Sequence, residues 1–206
     1  DNAKVYDDDA RVVGNACISG EAEVYDNAII YGNAKVYGNA LIYGRAIIYD
    51  NAKVYDEADV CEDAKVYDNS MVFGNAQVCG DAMVCGDAQI YNDAQIYNDA
   101  IVYGDAKIYG YAKVFDFAEV YGYAKVYDTA KVYDDAKIYG DAQVYGNAVV
   151  YGDTIICGNA KIYGNAKVYG EADVCGNAVV HDNAKVHGDA VVCGDMVVCG
   201  NAVVYD

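Results

Sequence analysis

The stretch "GNAKVYGNALIYGRAIIYDNAKVYD", Gly32 to Asp56, gives nearly the same six residues four times. Ala34 and Val36 are two apart, and so are Lys35 and Tyr37. That is the alternation of a strand, with one face small and aliphatic and the other mixed. Gly38-Asn39 and Asp50-Asn51 then read as turns, because these residues tolerate positive φ. A period of six fits neither the helical repeat of ~3.6 nor a heptad, so a helix is excluded.

The frame runs from Ala10 to the end of the chain without an insertion, in 33 units. Its third place is Val or Ile in all 33, from Val12 to Val204. Its first place is Ala in 30; the others are Ser70, Thr154 and Met196. One earlier unit, "NAKVYD", is offset by one residue at Asp7-Asp8-Asp9. Each unit predicts a strand of about four residues and a two-residue corner. So short a strand needs a hydrogen-bonding partner, and an identical one arrives six residues later. A coil that closes on itself every three units pairs each strand, in parallel, with the one a full coil further on. The expectation is an all-β, triangular parallel β-helix of about 11 coils, on the order of 50 Å long, filling a single domain over 1–206.

The chain resembles the hexapeptide-repeat proteins, whose motif is an aliphatic residue with a small residue four places on. Val36 with Ala40, Ile42 with Ala46 and Ile48 with Ala52 match it. The resemblance covers residues 10–206 and implies a left-handed parallel β-helix. It departs from the common pattern in placing Tyr directly after the aliphatic residue. Enzymes of that family include acyltransferases with a catalytic His and γ-class carbonic anhydrases with three zinc-bound His. This chain has two histidines, His181 and His187, on adjacent faces, and no loop insertion, so no catalytic residue is assigned.

A 55% hydrophobic fraction opposes disorder despite a net charge of −18. The acidity argues against nucleic acid and anionic membrane surfaces as partners. No apolar run approaches the ~18–20 residues needed to insert across a bilayer. The opening is polar and acidic, without a starting Met, and begins inside a repeat. A processed product or a fragment is the expectation.

Val/Ile and Ala are expected to fill the small interior, so Tyr must point outward. Residues a coil apart then stack in columns. One runs Tyr37, Tyr55, Phe73, Tyr91, Tyr109, Tyr127, Tyr145, Tyr163. A second has Tyr31, Tyr49, Tyr67, Cys85, Tyr103, Tyr121, Tyr139, and a third Tyr97, Phe115, Tyr133, Tyr151, Tyr169. Stacked aromatics suit an outer stabilising rung.

Seven of the eight cysteines occupy the Tyr place. Cys61 lies over Cys79, and Cys157, Cys175 and Cys193 share a column. Each set is open to three readings: disulfides, a ladder for a soft metal, or small substitutes for Tyr. One corner column is acidic: Asp63, Asp81, Asp99, then Phe117, then Asp135, Asp153, Glu171, Asp189. Asp63, Asp81, Asp99, Asp135 and Asp153 are candidates for weak Ca²⁺ binding through oxygen ligands. One coil carries Tyr111, Phe117 and Tyr123 at its three corners and Tyr109, Phe115 and Tyr121 on its strands, a candidate binding girdle. The second place turns apolar near the end at Val179, Val191, Val197 and Val203, beside Cys193 and Cys199. Exposed apolar residues and open strand edges predict self-association there, as a dimer or end to end.

The function expected from this pattern is a structural rod or spacer, a section of a larger surface, virion or filament assembly. A glycan- or protein-binding platform built on the tyrosines is the alternative, and an acyltransferase-like or carbonic-anhydrase-like enzyme the third.

Overall fold

The computed structural model describes residues 2–6 and 9–206. Its described residues form 34 short strands, from β1 (Lys4–Val5) to β34 (Val203–Tyr205), and no helix. They stack into three parallel sheets of 12, 11 and 11 strands. The first sheet runs from Lys4–Val5 to Val203–Tyr205, the second from Arg11–Val12 to Val191–Val192, the third from Cys17–Ile18 to Val197–Val198. Every third strand returns to the same sheet, so the chain is a triangular parallel β-solenoid of about 11 coils. Asp7 and Asp8 of the offset lie outside the described residues, but its effect is visible beside them. Lys4 pairs with Glu23, 19 residues on. Arg11 pairs with Ile29, and that 18-residue step then holds to the last pair, Lys185 with Val203.

Most strands are two residues long, not about four. The corner takes the rest. Ser70 N–H donates to Tyr67 C=O at 3.3 Å, so the turn begins at the Tyr place and ends at the first place. Pairing between coils still continues through the corner. Lys65, Tyr67 and Asn69 donate to Ala82, Val84 and Gly86 at 2.9, 3.0 and 2.9 Å. Hydrogen bonding between coils therefore reaches beyond the two laddered residues.

The fifth place is left-handed from Gly14 to Gly200. Gly80 has φ +77, and a Cβ there would meet Asn98 N at 2.7 Å. Asp, Asn or Glu also occupy this place, at φ 56 to 61. Several such aspartates accept from the backbone one coil on; Asp68 takes Gly86 N–H at 3.0 Å and Asp182 takes Gly200 N–H at 3.0 Å. A short carboxylate tolerates this backbone and satisfies the next corner, which explains why Asp alternates with Gly.

The core is the first and third places. Ala22 to Ala184 and Val24 to Val186 are fully buried wherever those places are Ala, Val or Ile. A tight corner leaves room for a methyl group only, while mid-strand takes the branched side chain. Ser70 and Thr154 replace Ala and are equally buried. Ser70 donates to Tyr67 C=O at 2.7 Å, whereas Thr154 Oγ1 has no partner. At both ends of the described chain the interior opens, with Val12 38% and Met196 54% exposed.

Candidate functional site

The outer surface is three aromatic columns between three corners. Tyr37 stacks on Tyr55 at 4.8 Å, Tyr91 on Tyr109 at 4.9 Å and Tyr145 on Tyr163 at 4.9 Å between ring centroids. The planes lie within 10° for nearly all such pairs, because the parallel step repeats the same rotamer. Both histidines join these columns. His181 stacks on Tyr163 at 5.0 Å, and His187 lies between Tyr169 and Tyr205 at 4.9 and 5.6 Å. They share no site, and each stands where a ring belongs. Nothing but the 18-residue step predicts that role.

Partial burial in the columns raises the pKa of tyrosines such as Tyr37, Tyr91 and Tyr109. Tyr127 is pushed up to about 12, first by burial and then by Tyr145 and Tyr109. Tyr139 also reaches about 12, first through its hydrogen bond with the Cys157 side chain and then through burial.

Two of the cysteine columns are bridged. Cys61–Cys79 and Cys175–Cys193 are disulfides with Cα atoms 4.7 and 4.6 Å apart. Cys157, the third member of its column, is free, as are Cys17, Cys85 and Cys199.

The candidate cation residues share one corner. Arg45 pairs with Asp63, while Asp81, Asp99, Asp135 and Asp153 are exposed. Around Phe117 this corner opens into a shallow groove of about 480 Å³ lined by Asp116, Asp134, Asp135, Asp153 and Glu171, with Gly152 and Gly170 in its floor. Among the described residues, no three His, Cys, Asp or Glu side chains converge closely enough to hold a metal ion. Elsewhere the corners carry amide chains: Asn15 donates to Asn33, Asn33 to Asn51 and Asn51 to Asn69 at 3.1–3.2 Å.

The girdle coil divides into two classes. Tyr111, Phe117 and Tyr123 project from the three corners, 64%, 60% and 61% exposed. Tyr109, Phe115 and Tyr121 are half-buried rungs within the columns. A flat partner can meet one corner ring, not three.

The apolar residues near the end are also divided. Val179 and Val197 are partners in the third sheet, Val191 is in the second and Val203 in the first. Cys193 is bridged, and Cys199 is exposed and free. These side chains surround the last coils and do not form one patch. Closeness in sequence suggested closeness in space; the six-residue step puts neighbours on different faces.

Three single coils match the YdcK Beta solenoid repeat. The matches cover residues 76–92, 94–110 and 142–158, about a quarter of the chain. Each begins at a first-place residue, Ala76, Ala94 or Ala142, and ends at a left-handed corner residue, Asn92, Gly110 or Gly158. The YdcK repeat and the structural coil therefore share one phase. No curated protein matches the sequence.

Proposed function

We propose that the protein is a structural rod or spacer, a section of a larger surface, virion or filament assembly. The carrying observation is the unbroken 18-residue step from Arg11 to Val203, without an inserted loop. Inserted loops often build the binding face of a repeat protein, and length is the property that an unbroken repeat provides. Two disulfides support an oxidising setting such as a cell surface. The Ala and Val/Ile phase supports kinship with the hexapeptide-repeat proteins and their left-handed coil. The exposed end coils, with Val191, Val197 and Val203, are proposed as a joint for self-association. The acidic corner is proposed as a strip that takes Ca²⁺ weakly.

A binding platform is the second reading, favoured by the exposure of Tyr111, Phe117 and Tyr123. One experiment separates the two. In the native gene, whole coils are excised, and separately the three corner aromatics are changed to Asn. A spacer loses function in proportion to the length removed and tolerates the corner changes. Loss of function from the corner changes at full length excludes the spacer and leaves the platform.

A further inference from the structure

The three faces of the prism are not equivalent. On the second sheet, six of the eleven outward second-place residues are apolar: Ile29, Ile47, Met83, Ile101, Ile155 and Val191. The other two faces carry three aliphatic side chains each, Leu41, Val149 and Val203 on one and Met71, Val179 and Val197 on the other. The second face also holds three cations, Arg11, Lys65 and Lys137, against two anions, Glu119 and Asp173. On a chain of net charge −18 it is a face on which two copies can meet without net repulsion between these rows.

We propose that this face is the contact surface for a second copy of the chain, packed face to face with the rods antiparallel. The order of residues along the row selects the register. A twofold axis parallel to the strands, level between Met83 and Ile101, keeps each row opposite its own copy. Arg11 then faces the partner's Asp173 and Lys65 faces the partner's Glu119. Ile29 faces the partner's Ile155, and Met83 the partner's Ile101. Ile47 lies against the stem of the partner's Lys137, whose ammonium is held by Glu119 of its own chain at 3.4 Å, so that each Glu119 carboxylate sits between that lysine and the other copy's Lys65. Moving the axis by half a coil either way loses both ion pairs; one of those moves sets Lys65 against the partner's Lys137, and the other sets Ile47 against the partner's Glu119.

The neighbouring aromatic column agrees with this register. It is notched at Cys85, which separates the Tyr31–Tyr49–Tyr67 stack from the Tyr103–Tyr121–Tyr139 stack. The same axis places the partner's Tyr103 at that notch, and Tyr31 opposite the partner's Cys157. Large meets small at these two levels, while Tyr49 meets the partner's Tyr139 and Tyr67 the partner's Tyr121 ring to ring. Ten paired strands, Arg11 to Asp173 with Val191 beyond the overlap, at ~4.8 Å each and a width of about 15 Å give on the order of 700 Å² per copy, near the roughly 800 Å² per partner of a standard interface. The acidic corner borders the face along one edge, and the same axis sets it beside the partner's acidic corner, with Arg45 level with the partner's Asp135 but Asp81 level with the partner's Asp99, so this edge stays open and hydrated.

This contact is separate from the end-coil joint proposed above. Its test is the dissociation constant of the whole chain, by sedimentation and light scattering, for the wild type, Lys65→Glu, and Lys65→Glu with Glu119→Lys. The wild type is expected to dimerise. Lys65→Glu opposes two carboxylates at each end of the contact and should weaken the dimer about tenfold or more; the double exchange should restore it in part, because Glu119→Lys also breaks the pair with Lys137 of the same chain. Carbodiimide coupling of the wild type should also yield a Lys65–Glu119 amide. These residues lie three pairings apart in one chain, Lys65 to Met83 to Ile101 to Glu119, about 14 Å, so that link forms only between copies. A dimer indifferent to Lys65→Glu overturns the face contact and leaves the end-coil joint. A monomer at every concentration overturns both contacts, and leaves the spacer to its own test.

Discussion

Cys61 and Cys79 are joined one coil apart, with Cα atoms 4.7 Å apart, in the column that stacks Tyr25 on Tyr43 before them and Tyr97 on Phe115 after them. The bridge takes the place of a ring pair. It closes a loop of 18 residues, for which the chain-entropy account gives about 3 kcal/mol. Denaturant unfolding of Cys61→Ser with Cys79→Ser should show a loss approaching that size. Cys61→Tyr with Cys79→Tyr should recover much of it under reducing conditions, because the stack then runs from Tyr25 to Tyr169 unbroken. Equal stability of the wild type with and without reductant would contradict this role.

Much of the architecture could be read from residue order. Val36 and Ala40 face inward because the period is two within a strand and six between strands, and Gly38 turns because few other residues adopt its φ of +74. Strand length is not legible in residue order, because Tyr67 and Ser70 have the residue types of strand ends while their hydrogen bond makes them turn ends. The cysteine pairing was undecided for a physical reason: Cys175 has a cysteine one coil away on each side, and column spacing alone does not choose Cys193 over Cys157. The apolar face of the second sheet follows from the 18-residue step, but Ile29, Ile47 and Ile101 belong together only once each face is read down the rod.

Thr154 occupies a place built for Ala. Its hydroxyl is buried and unpartnered, and an unsatisfied buried hydroxyl costs roughly 1–3 kcal/mol. Thr154→Ala should therefore raise stability by about 1 kcal/mol. Ser70→Ala should gain little, since Ser70 already donates to Tyr67 C=O at 2.7 Å. Thermal melts of the two variants check the contrast, and a loss at Thr154→Ala would count against it.

Tyrosine ionisation sets an alkaline limit. The folded values of Tyr127 and Tyr139 are raised from 10.0 to about 12. Between those values the unfolded tyrosine has lost its proton and the folded one keeps it, so raising pH favours unfolding. Their contribution is complete below pH 10.0 and is lost as pH rises through about 12. Melting temperature should stay level up to about pH 9 and fall steeply between about 10 and 12. A parallel titration of phenolate absorbance should lag behind that of free tyrosine. Phenolate formation at the ordinary pKa, without loss of stability, would contradict the stacked columns.

The acidic corner predicts a response to hard cations. With Asp116, Asp134, Asp135, Asp153 and Glu171 around one groove, millimolar Ca²⁺ should raise the melting temperature by about 3 °C over chelator at matched ionic strength. Asp135→Asn with Asp153→Asn should remove the rise. Identical melts in Ca²⁺ and chelator would eliminate the site.

The central claim is that each 18 residues is one interchangeable increment of length. Spin labels at Lys35 and Lys161, both on the outer row of the third sheet, test it most directly. Seven strand spacings separate them, about 34 Å at ~4.8 Å each. After excision of residues 82–99, one whole coil, the distance should shorten by about 5 Å and stay as narrowly distributed. An unchanged distance, or a broad distribution showing that the stack has come apart, would contradict the account.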